Sequence, residues 1–540
     1  MKIYILPVVG KEGLAPVTVK EIRSLETVSE ELLGHYNRLN EQLALLNNEV
    51  AVLKGEKIRP VFKPSRMHEE AGKTDDNIEK PSTVKRAGSQ KKKKTAALKV
   101  DRDLIIEPTG SIPAGSRFKG YRDFVVQDIL ITPFNTRYRL EHWQRPDGQH
   151  LVGKLPAALR GGHFGPDLVS YILYQHHHCL VTQPLLHEQL QEWGIDISTG
   201  QIDALLQNNK ATFHEEKDGL LSTGLALSTY VTVDDTGARH QGNNGYVTHI
   251  GNDLFAWFQS SATKDRVNFL ELLRAGQTNY TVNEAALTYM KKQGLSQVFL
   301  DALSGHALAD FSDKAGWHTH LDSLNMKTAR YRKIATEGAL LGSLKELPIA
   351  SNLAIISDDA GQFNVLTHGL CWVHAERLIH KMLPLNELHR IDIAKVRSQI
   401  WDFYADLKRY KLNPEEHQKQ ALRTRFDAIF TQKTSYTSLD MLLKRLHNNK
   451  SELLLVLERP EIPLHTNGSE GDIRDHVRKR KVSGGTRSDT GQQCRDTFSS
   501  LKKTCRKLGI SFWDYLLDRI SCSDHIAPLQ DIIAQRMAPA

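Results

Sequence analysis

The sequence predicts a multidomain α/β protein whose α/β core is interrupted by a helical block. With 540 residues the chain is too long for one hydrophobic core, so about three or four domains are expected. Residues 229–233 and 353–356 are short apolar runs rich in β-branched side chains, as buried strands are. Between residues 374 and 457 the spacing of apolar side chains is typical of helices.

The composition, with 40% hydrophobic and 25% charged residues, is typical of a globular protein. No run approaches the roughly 18 apolar residues that a membrane-spanning helix needs. Residues 3–9 are not followed by a small-residue cleavage pattern, which argues against an export signal. The five cysteines include no C-x-x-C pair, which argues against a disulfide framework. We therefore expect a cytoplasmic protein with no membrane partner.

The charge balance gives a weak indication of a partner. The chain has 71 Lys and Arg against 63 Asp and Glu, a formal net charge of +8. A basic chain favours polyanionic partners, but the indication is weak unless the charges cluster.

Residues 1–54 are predicted to be an N-terminal segment that contains a coiled coil. Leucine recurs at every seventh residue over four repeats, which is the d-position pattern of a two-stranded parallel coiled coil. The alternative is an internal core helix, which the strict seven-residue period disfavours. We expect a homodimer through this helix. The heptad leucines are Leu25, Leu32, Leu39, Leu46 and Leu53.

Two segments without strong helical patterns follow. Residues 55–103 contain few large apolar side chains and are predicted to be a basic, disordered linker. Its run of Lys91, Lys92, Lys93 and Lys94 is either a solvated tether or an arm that binds phosphate. Residues 104–160 are predicted to be a small β-rich unit, because the runs 124–130 and 138–143 are strand-like and turn residues separate them.

Residues 161–222 are predicted to be a helical DNA-binding domain that resembles a helix-turn-helix. An apolar helix ending near Leu190 precedes Gly194, and Ser198 can cap a second helix. Thr199 and Gln201, at the start of that helix, could face a DNA groove. Any pair of antiparallel helices could have this pattern, so a purely structural role is an equal alternative.

The remaining chain is predicted to form the core and its insertion. The core comprises residues 223–372 and 461–525, residues 373–460 form a helical insertion, and residues 526–540 are a C-terminal tail. Strands are expected at 229–233, 245–249, 254–259 and 353–356, and a helix is expected to open at Asp265.

Two of these strands run into aspartate pairs, which begin at Asp234 and Asp358. Open α/β sheets carry their chemistry at strand ends, although a single such aspartate is more often structural. A third acid, Glu470, opens a predicted helix. Carboxylates that converge from separate segments suit Mg²⁺, and two ions about 3.5 to 4 Å apart catalyse in-line displacement at a phosphodiester.

A basic cluster follows Glu470. A solvated face is the alternative, but the nearby acid favours contact with DNA. Four consecutive cations cannot share one helical face, so only some should touch phosphate. Gly484 and Gly485 would allow a close backbone approach. The candidate DNA-binding residues here are Arg478, Lys479, Arg480, Lys481 and Arg487.

Four motifs together resemble the insertion sequence sixty-six family of bacterial transposases. The likeness runs from about residue 118 to about residue 520. The motifs are residues 233–239 (VDDTGAR), 357–363 (SDDAGQF), 371–377 (CWVHAER), and 467–470 (NGSE) followed by 483–488 (SGGTRS).

The resemblance implies a ribonuclease-H-like catalytic core with the triad Asp234, Asp358 and Glu470, holding Mg²⁺ or Mn²⁺ as two ions. It implies strand cleavage and strand transfer of an insertion sequence, with transposon ends and target DNA as partners. Accessory proteins of the same element are further expected partners, and the DNA-bound protein would associate with the nucleoid. Asp235 and Asp359 remain alternatives, although the first aspartate of each pair fits the family pattern better.

The chain departs from the family at one point. Many members carry a cysteine-based zinc finger between the heptads and the helix-turn-helix, but no cysteine precedes Cys179. Zinc is therefore not expected. Two other functions stay open: a DNA-binding regulator with an inactive core, and a metal-dependent nuclease that cuts without joining.

Overall fold

The structure, a computed structural model, describes residues 99–159, 162–305, 309–349 and 352–538, together with scattered positions between 28 and 46. The described positions between 28 and 46 are helical. Within them Leu32, Leu39 and Leu46 are 62 to 65% exposed. Leu25, Leu53 and the lysine run 91–94 lie outside the described residues.

The segment 99–159 contains little regular structure. Its hairpin consists of β1 (His142–Gln144) and β2 (His150–Val152), followed by a short 3₁₀ helix, Ala157–Leu159. The predicted strand at 124–130 is absent, and the run 138–143 contributes only its end to β1. Phe124 is 89% exposed. Residues with high strand propensity form strands where their side chains can pack on a half-buried surface. Within the described part of the chain these side chains have no such surface to pack on.

Four helices form a layer before the sheet. Gly194 has a φ of +76° in the turn between the second and third helices, a conformation that favours glycine. Ser198 accepts a hydrogen bond from the Gln201 N–H and completes a capping box. The helices are α1 (Pro166–His177), α2 (Gln183–Glu192), α3 (Thr199–Gln207) and α4 (Ala211–Leu227).

Three antiparallel strands begin the sheet: β3 (Tyr230–His240), β4 (Asn243–Gly251) and β5 (Ala256–Ser261). The first is longer than predicted, because its second half pairs with β4 as a hairpin. Asp234 therefore lies within β3 and not at its end.

Residues 266–349 add a unit that the sequence did not predict beyond its first helix. It contains a small antiparallel sheet of two strands, flanked by helices. Its elements are α5 (Arg266–Leu273), β6 (Tyr280–Val282), α6 (Glu284–Lys292), α7 (Gln297–Ser304), β7 (Ala309–Phe311), α8 (Lys314–Ser323) and α9 (Ala329–Glu346).

Two parallel strands complete the main sheet: β8 (Ala354–Ser357) and β9 (Thr367–Leu370). The five strands have the order β5-β4-β3-β8-β9, with β3, β8 and β9 parallel. The chain is thus of the mixed α/β class. The unpredicted strand β9, with the sequence THGL, has few of the β-branched side chains that mark a strand.

Helices then follow to Glu458, with no strand among them. Trp372 is buried among them and its Nε1 donates to the Leu453 carbonyl at 2.9 Å. These helices are α10 (Trp372–His380), α11 (Glu387–Leu412), α12 (Glu416–Phe430), α13 (Thr437–Asn448), α14 (Lys450–Leu453) and α15 (Leu455–Glu458).

The chain closes with α16 (Asn467–Ser483), α17 (Asp489–Leu508), α18 (Phe512–Ser521) and α19 (Leu529–Met537). The segment predicted as a tail is therefore largely the helix α19, with Leu529 and Ile533 fully buried. The carboxylate of Glu216 in α4 joins these helices: it accepts from the Tyr515 hydroxyl, from Arg519 and from the Leu529 N–H.

Apolar side chains cover both faces of the sheet. One core includes α1 to α4, the unit 266–349, one face of the sheet and the last three helices. A second core joins Ile356 and Leu370 to the helices α10 to α15. The predicted helix-turn-helix region thus shares a core with the sheet. No helix among the described residues is both long and apolar enough to cross a membrane.

Candidate active site

The register of two parallel strands brings Asp234 and Asp358 to the same level. Thr232 in β3 is aligned with Ile356 in β8. Each aspartate lies two residues further along its own chain. Asp358 is the first residue after β8, and its carboxylate raises the pKa of Asp234, so the two acids lie near each other at this end of the sheet.

The environment of Asp234 disfavours its charge. Burial and the nearby Asp358 carboxylate together raise the pKa of Asp234 to about 6, although the Asp235 N–H and His374 lower it. The Asp235 N–H donates to Asp234 Oδ1 at 2.8 Å. A buried carboxyl beside a second carboxylate gains from a neighbouring cation, because the cation offsets both burial and repulsion.

The second aspartate of each pair has other partners. Asp235 accepts from Gln362 Nε2 at 3.1 Å, and burial raises its pKa. Asp359 is exposed, pairs with Arg445 and accepts from Asn449 Nδ2 at 3.2 Å. These bonds tie Asp359 to the helical insertion and Asp235 to the loop after β8.

Glu470 reaches the same end of the sheet from α16. Ser469 Oγ donates to Thr232 Oγ1 at 2.6 Å, a buried contact that fixes the start of α16 to β3 two residues before Asp234. Arg377 Nη2 donates to Glu470 Oε1 at 3.0 Å, and His374 Nε2 lies 3.3 Å from the same oxygen. Since His374 also lowers the pKa of Asp234, it lies near both acids.

His374 and Arg377 were not predicted as site residues. Both lie on α10, which begins directly after β9 at the carboxyl end of the sheet. Because α10 follows a parallel neighbour of β8, its first turns face the end of the sheet that carries Asp358. Their spacing of three residues puts both on one side of the helix, and this spacing within the motif CWVHAER was the available signal.

The donor set fits a hard divalent cation in part. Asp234 and Asp358 offer adjacent carboxylate oxygens, the ligands that Mg²⁺ and Mn²⁺ prefer. Glu470 is engaged with Arg377 and His374 instead. Accordingly, across the described ranges from 99 to 538, no three Asp, Glu, His or Cys side chains are grouped to ligate a metal ion.

The basic run on α16 divides into inward and outward residues. Lys479 was expected to touch DNA, but it is buried, and its Nζ donates to the His176 carbonyl at 2.6 Å. Arg480 is half-buried and donates to the Gly237 carbonyl. The expectation for Lys479 is corrected, since its side chain is buried and holds α16 against the core, whereas DNA contact by Arg480 stays a prediction. Arg478 and Lys481 are exposed, and so is Arg474, which was not predicted.

The second glycine after α16, Gly485, approaches the strand β3 closely. A Cβ at Gly485 would lie 2.4 Å from the Arg239 carbonyl oxygen, so this position requires glycine. Thr486 N–H donates to the same carbonyl at 2.9 Å. Arg487, beside this contact, is exposed.

The helix-turn-helix candidates lie at the exposed start of α3. Thr199 and Gln201 are both exposed. Gln201 Oε1 accepts from the Ser198 N–H at 2.8 Å, so its side chain closes the capping box.

The sequence is similar to one known family and to one known protein. The sequence model of the Transposase IS66 family matches residues 355–494, which include Asp358 and Glu470. A Sinorhizobium fredii protein described as "Uncharacterized protein y4jO" is 42% identical over 320 residues, which are 59% of this chain and 100% of that protein. Together with the motifs around both strand-borne aspartates and Glu470, these matches identify the family. The chain belongs to the Transposase IS66 family.

Proposed function

We propose that the chain is a DNA transposase that cleaves and joins strands through Asp234, Asp358 and Glu470 in a ribonuclease-H-like core. The observation that supports the proposal is the parallel register of β3 and β8, together with the effect of the Asp358 carboxylate on the pKa of Asp234, which indicates that the two acids are near each other. The Ser469–Thr232 contact supports adding Glu470 as the third acid. The family match supports DNA as the substrate.

Asp234, Asp358 and Glu470 would hold Mg²⁺ or Mn²⁺, as two ions. The ions would activate the attacking oxygen and stabilise the leaving oxygen of an in-line displacement. Water would be the nucleophile for cleavage, and the freed 3′ hydroxyl would attack target DNA. The chain's own part is to place Asp234 near Asp358, and to hold the start of α16 against β3.

Exposed cations near this site support contact with the DNA backbone. Arg474, Arg478 and Lys481 follow Glu470 on α16 and lie within about 60° of its circumference at 3.6 residues per turn. We call these three residues the α16 row. Arg487, Thr199 and Gln201 are further exposed candidates for DNA contact. Phosphate contacts of this kind position DNA but do not read its sequence.

We propose that the protein acts as a homodimer formed through the leucine heptads. Leu32, Leu39 and Leu46 are helical and well exposed, which supports a partner helix. Accessory proteins of the same element are proposed as further partners on the resemblance alone.

The test is strand cleavage and strand transfer by Asp234→Asn, Asp358→Asn and Glu470→Gln in Mg²⁺. Each should abolish both reactions while DNA binding and thermal stability are retained. Asp235→Asn and Asp359→Asn are the matched neighbours and should keep activity. Full activity in Asp234→Asn with none in Asp235→Asn would show that the first acid of the triad is Asp235.

The same assay separates the other functions. An inactive DNA-binding regulator would process no DNA with or without Mg²⁺. A nuclease would yield cut strands and no joined product on a denaturing gel. The family match and the full set of three acids favour the transposase over both.

A further inference from the structure

Glu470 is drawn toward α10 by two basic side chains. Arg377 Nη2 and His374 Nε2 approach Glu470 Oε1 to 3.0 and 3.3 Å. Arg377 Nη1 also lies 3.3 Å from His374 Nε2, so the three groups form one cluster. Among the described residues no three side chains are grouped to ligate a metal ion. Arg377 and His374 would therefore compete with a metal ion for the Glu470 carboxylate.

The backbone of α10 is anchored, so a change of partner falls to the side chain of Arg377. The Cys371 N–H donates to the Ser357 carbonyl at 2.9 Å, next to Asp358. The Trp372 N–H donates to the Leu464 carbonyl at 3.0 Å, in the segment that leads to α16. Arg377 itself is 39% exposed, so its guanidinium is accessible to a ligand from solution.

A phosphodiester can replace a carboxylate on this guanidinium. Both ligands are anions with two oxygens that match the planar donor fork of arginine, whereas lysine offers a point charge. A DNA strand whose phosphate enters the site beside Asp234 and Asp358 would bring such oxygens close to Arg377.

We propose that Arg377 exchanges partners: in the free protein it holds Glu470, and on DNA it binds a backbone phosphate and releases Glu470 to the metal-binding set. The inference rests on the proposed function, because it takes Glu470 as a metal ligand. Binding of DNA and of the divalent ion is then mutually reinforcing, since each favours the state with Glu470 released. The protein alone then binds metal weakly, and the metal site is completed only when DNA is bound.

The test measures Mn²⁺ binding to the full chain without DNA, from the electron paramagnetic resonance signal of free Mn²⁺. Arg377→Gln should bind Mn²⁺ about tenfold more tightly, because a charged hydrogen bond that competes with the metal is lost. DNA cleavage by the same variant should fall, because the phosphate contact is lost. This opposite movement of metal affinity and activity is not expected of a residue with a merely structural role.

Two controls separate the exchange from a general effect of charge. Lys381→Gln removes an exposed cation one turn further along and should leave Mn²⁺ affinity unchanged. In a Glu470→Gln background, Arg377→Gln should no longer tighten Mn²⁺ binding, because the carboxylate for which Arg377 and the metal compete is already absent. Tightening that persists in this background would mean that Arg377 acts only through its field on the aspartates, and would overturn the exchange.

A weaker or unchanged Mn²⁺ affinity in Arg377→Gln would also overturn it. A weaker affinity would mean that Arg377 permanently orients Glu470 as a ligand. The proposed triad fails separately: if Glu470→Gln itself leaves Mn²⁺ affinity and cleavage at wild-type levels, Glu470 is not a ligand, whatever Arg377 does. Unchanged thermal unfolding of each variant shows that the comparison concerns folded protein.

Discussion

The α16 row gives a quantitative prediction for DNA binding. Arg474 and Lys481 are seven residues apart, which corresponds to about 10.5 Å of helix at 1.5 Å per residue. One DNA strand carries a charge about every 3.4 Å along the axis, so the row spans about three phosphates. The slope of log K against the logarithm of the salt concentration is about −0.9 for each phosphate neutralised on duplex DNA. Replacing all three cations by glutamine should therefore reduce the magnitude of this slope by about 2 to 3.

The lower end of that range allows for Arg478, whose Nη1 lies 3.3 Å from Asp475 Oδ1 and so shares its charge. The assay is fluorescence anisotropy of a labelled duplex of arbitrary sequence, titrated at several salt concentrations. The matched control replaces three exposed lysines of the helical insertion, Lys395, Lys408 and Lys444, by glutamine. An equal loss of slope in the control, or no loss in the row variant, would refute the assignment of the row to DNA.

Three further predictions concern single groups. Glu216→Gln should lower the free energy of unfolding by about 1.5 to 3 kcal/mol in urea titrations, because Arg519 keeps its pair with Asp518 but loses the charged acceptor on Glu216. The exposed neighbour variant Glu215→Gln should cost less than about 0.5 kcal/mol. Burial, with Arg495 and Lys502, lowers the pKa of Lys479 from 10.5 to about 7, so the unfolded state binds more protons between these values. The free energy of unfolding should therefore rise between pH 7 and pH 10 by up to about 4 kcal/mol. Unfolding followed by circular dichroism should show a smaller rise in Lys479→Met. Because the pKa of Asp234 is raised to about 6 by burial, Mn²⁺ affinity measured by calorimetry should fall as pH drops below 6, by about tenfold per unit. Asp234→Asn should remove that pH dependence, and an unaltered dependence would mean that another group controls metal binding.

The elements that carry the two aspartates were predictable because their signals are local. Residues 229–233 and 353–356 are β-branched runs that belong in a buried sheet whatever surrounds them. Their parallel pairing was not predictable, since it depends on how the chain crosses between them through the unit 266–349. The two strands of that unit are only three residues long each, so their local signal is weak.

The inward turn of Lys479 shows a different limit. The apolar residues of α16, Ile473 and Val477, mark only part of its inner face. Asp472, His476 and Lys479 are also buried there, and the polar atoms of Asp472 and Lys479 meet Lys507 and the His176 carbonyl, far away in the sequence. A polar side chain with a remote partner leaves no periodic trace, so the pattern could not separate Lys479 from Lys481.

The third acid was accessible to the sequence only through the family motif. Its position depends on the Ser469–Thr232 contact, which joins residues 237 positions apart. The same holds for Arg377, which meets Glu470 across 93 positions. Neither contact produces a local sequence pattern, although the helical insertion between Arg377 and Glu470 is marked by the spacing of its apolar residues.

The shared core of the first and last helices has a consequence for synthesis of the protein on the ribosome. Glu216 in α4 accepts hydrogen bonds from α18 and from the start of α19, and His177 in α1 stacks on Phe498 in α17 at 4.2 Å. The layer of helices α1 to α4, in which α3 carries Thr199 and Gln201, therefore completes its packing only when almost the whole chain has left the ribosome. We expect prematurely terminated chains to yield no free-standing fragment that could compete with the full protein for DNA.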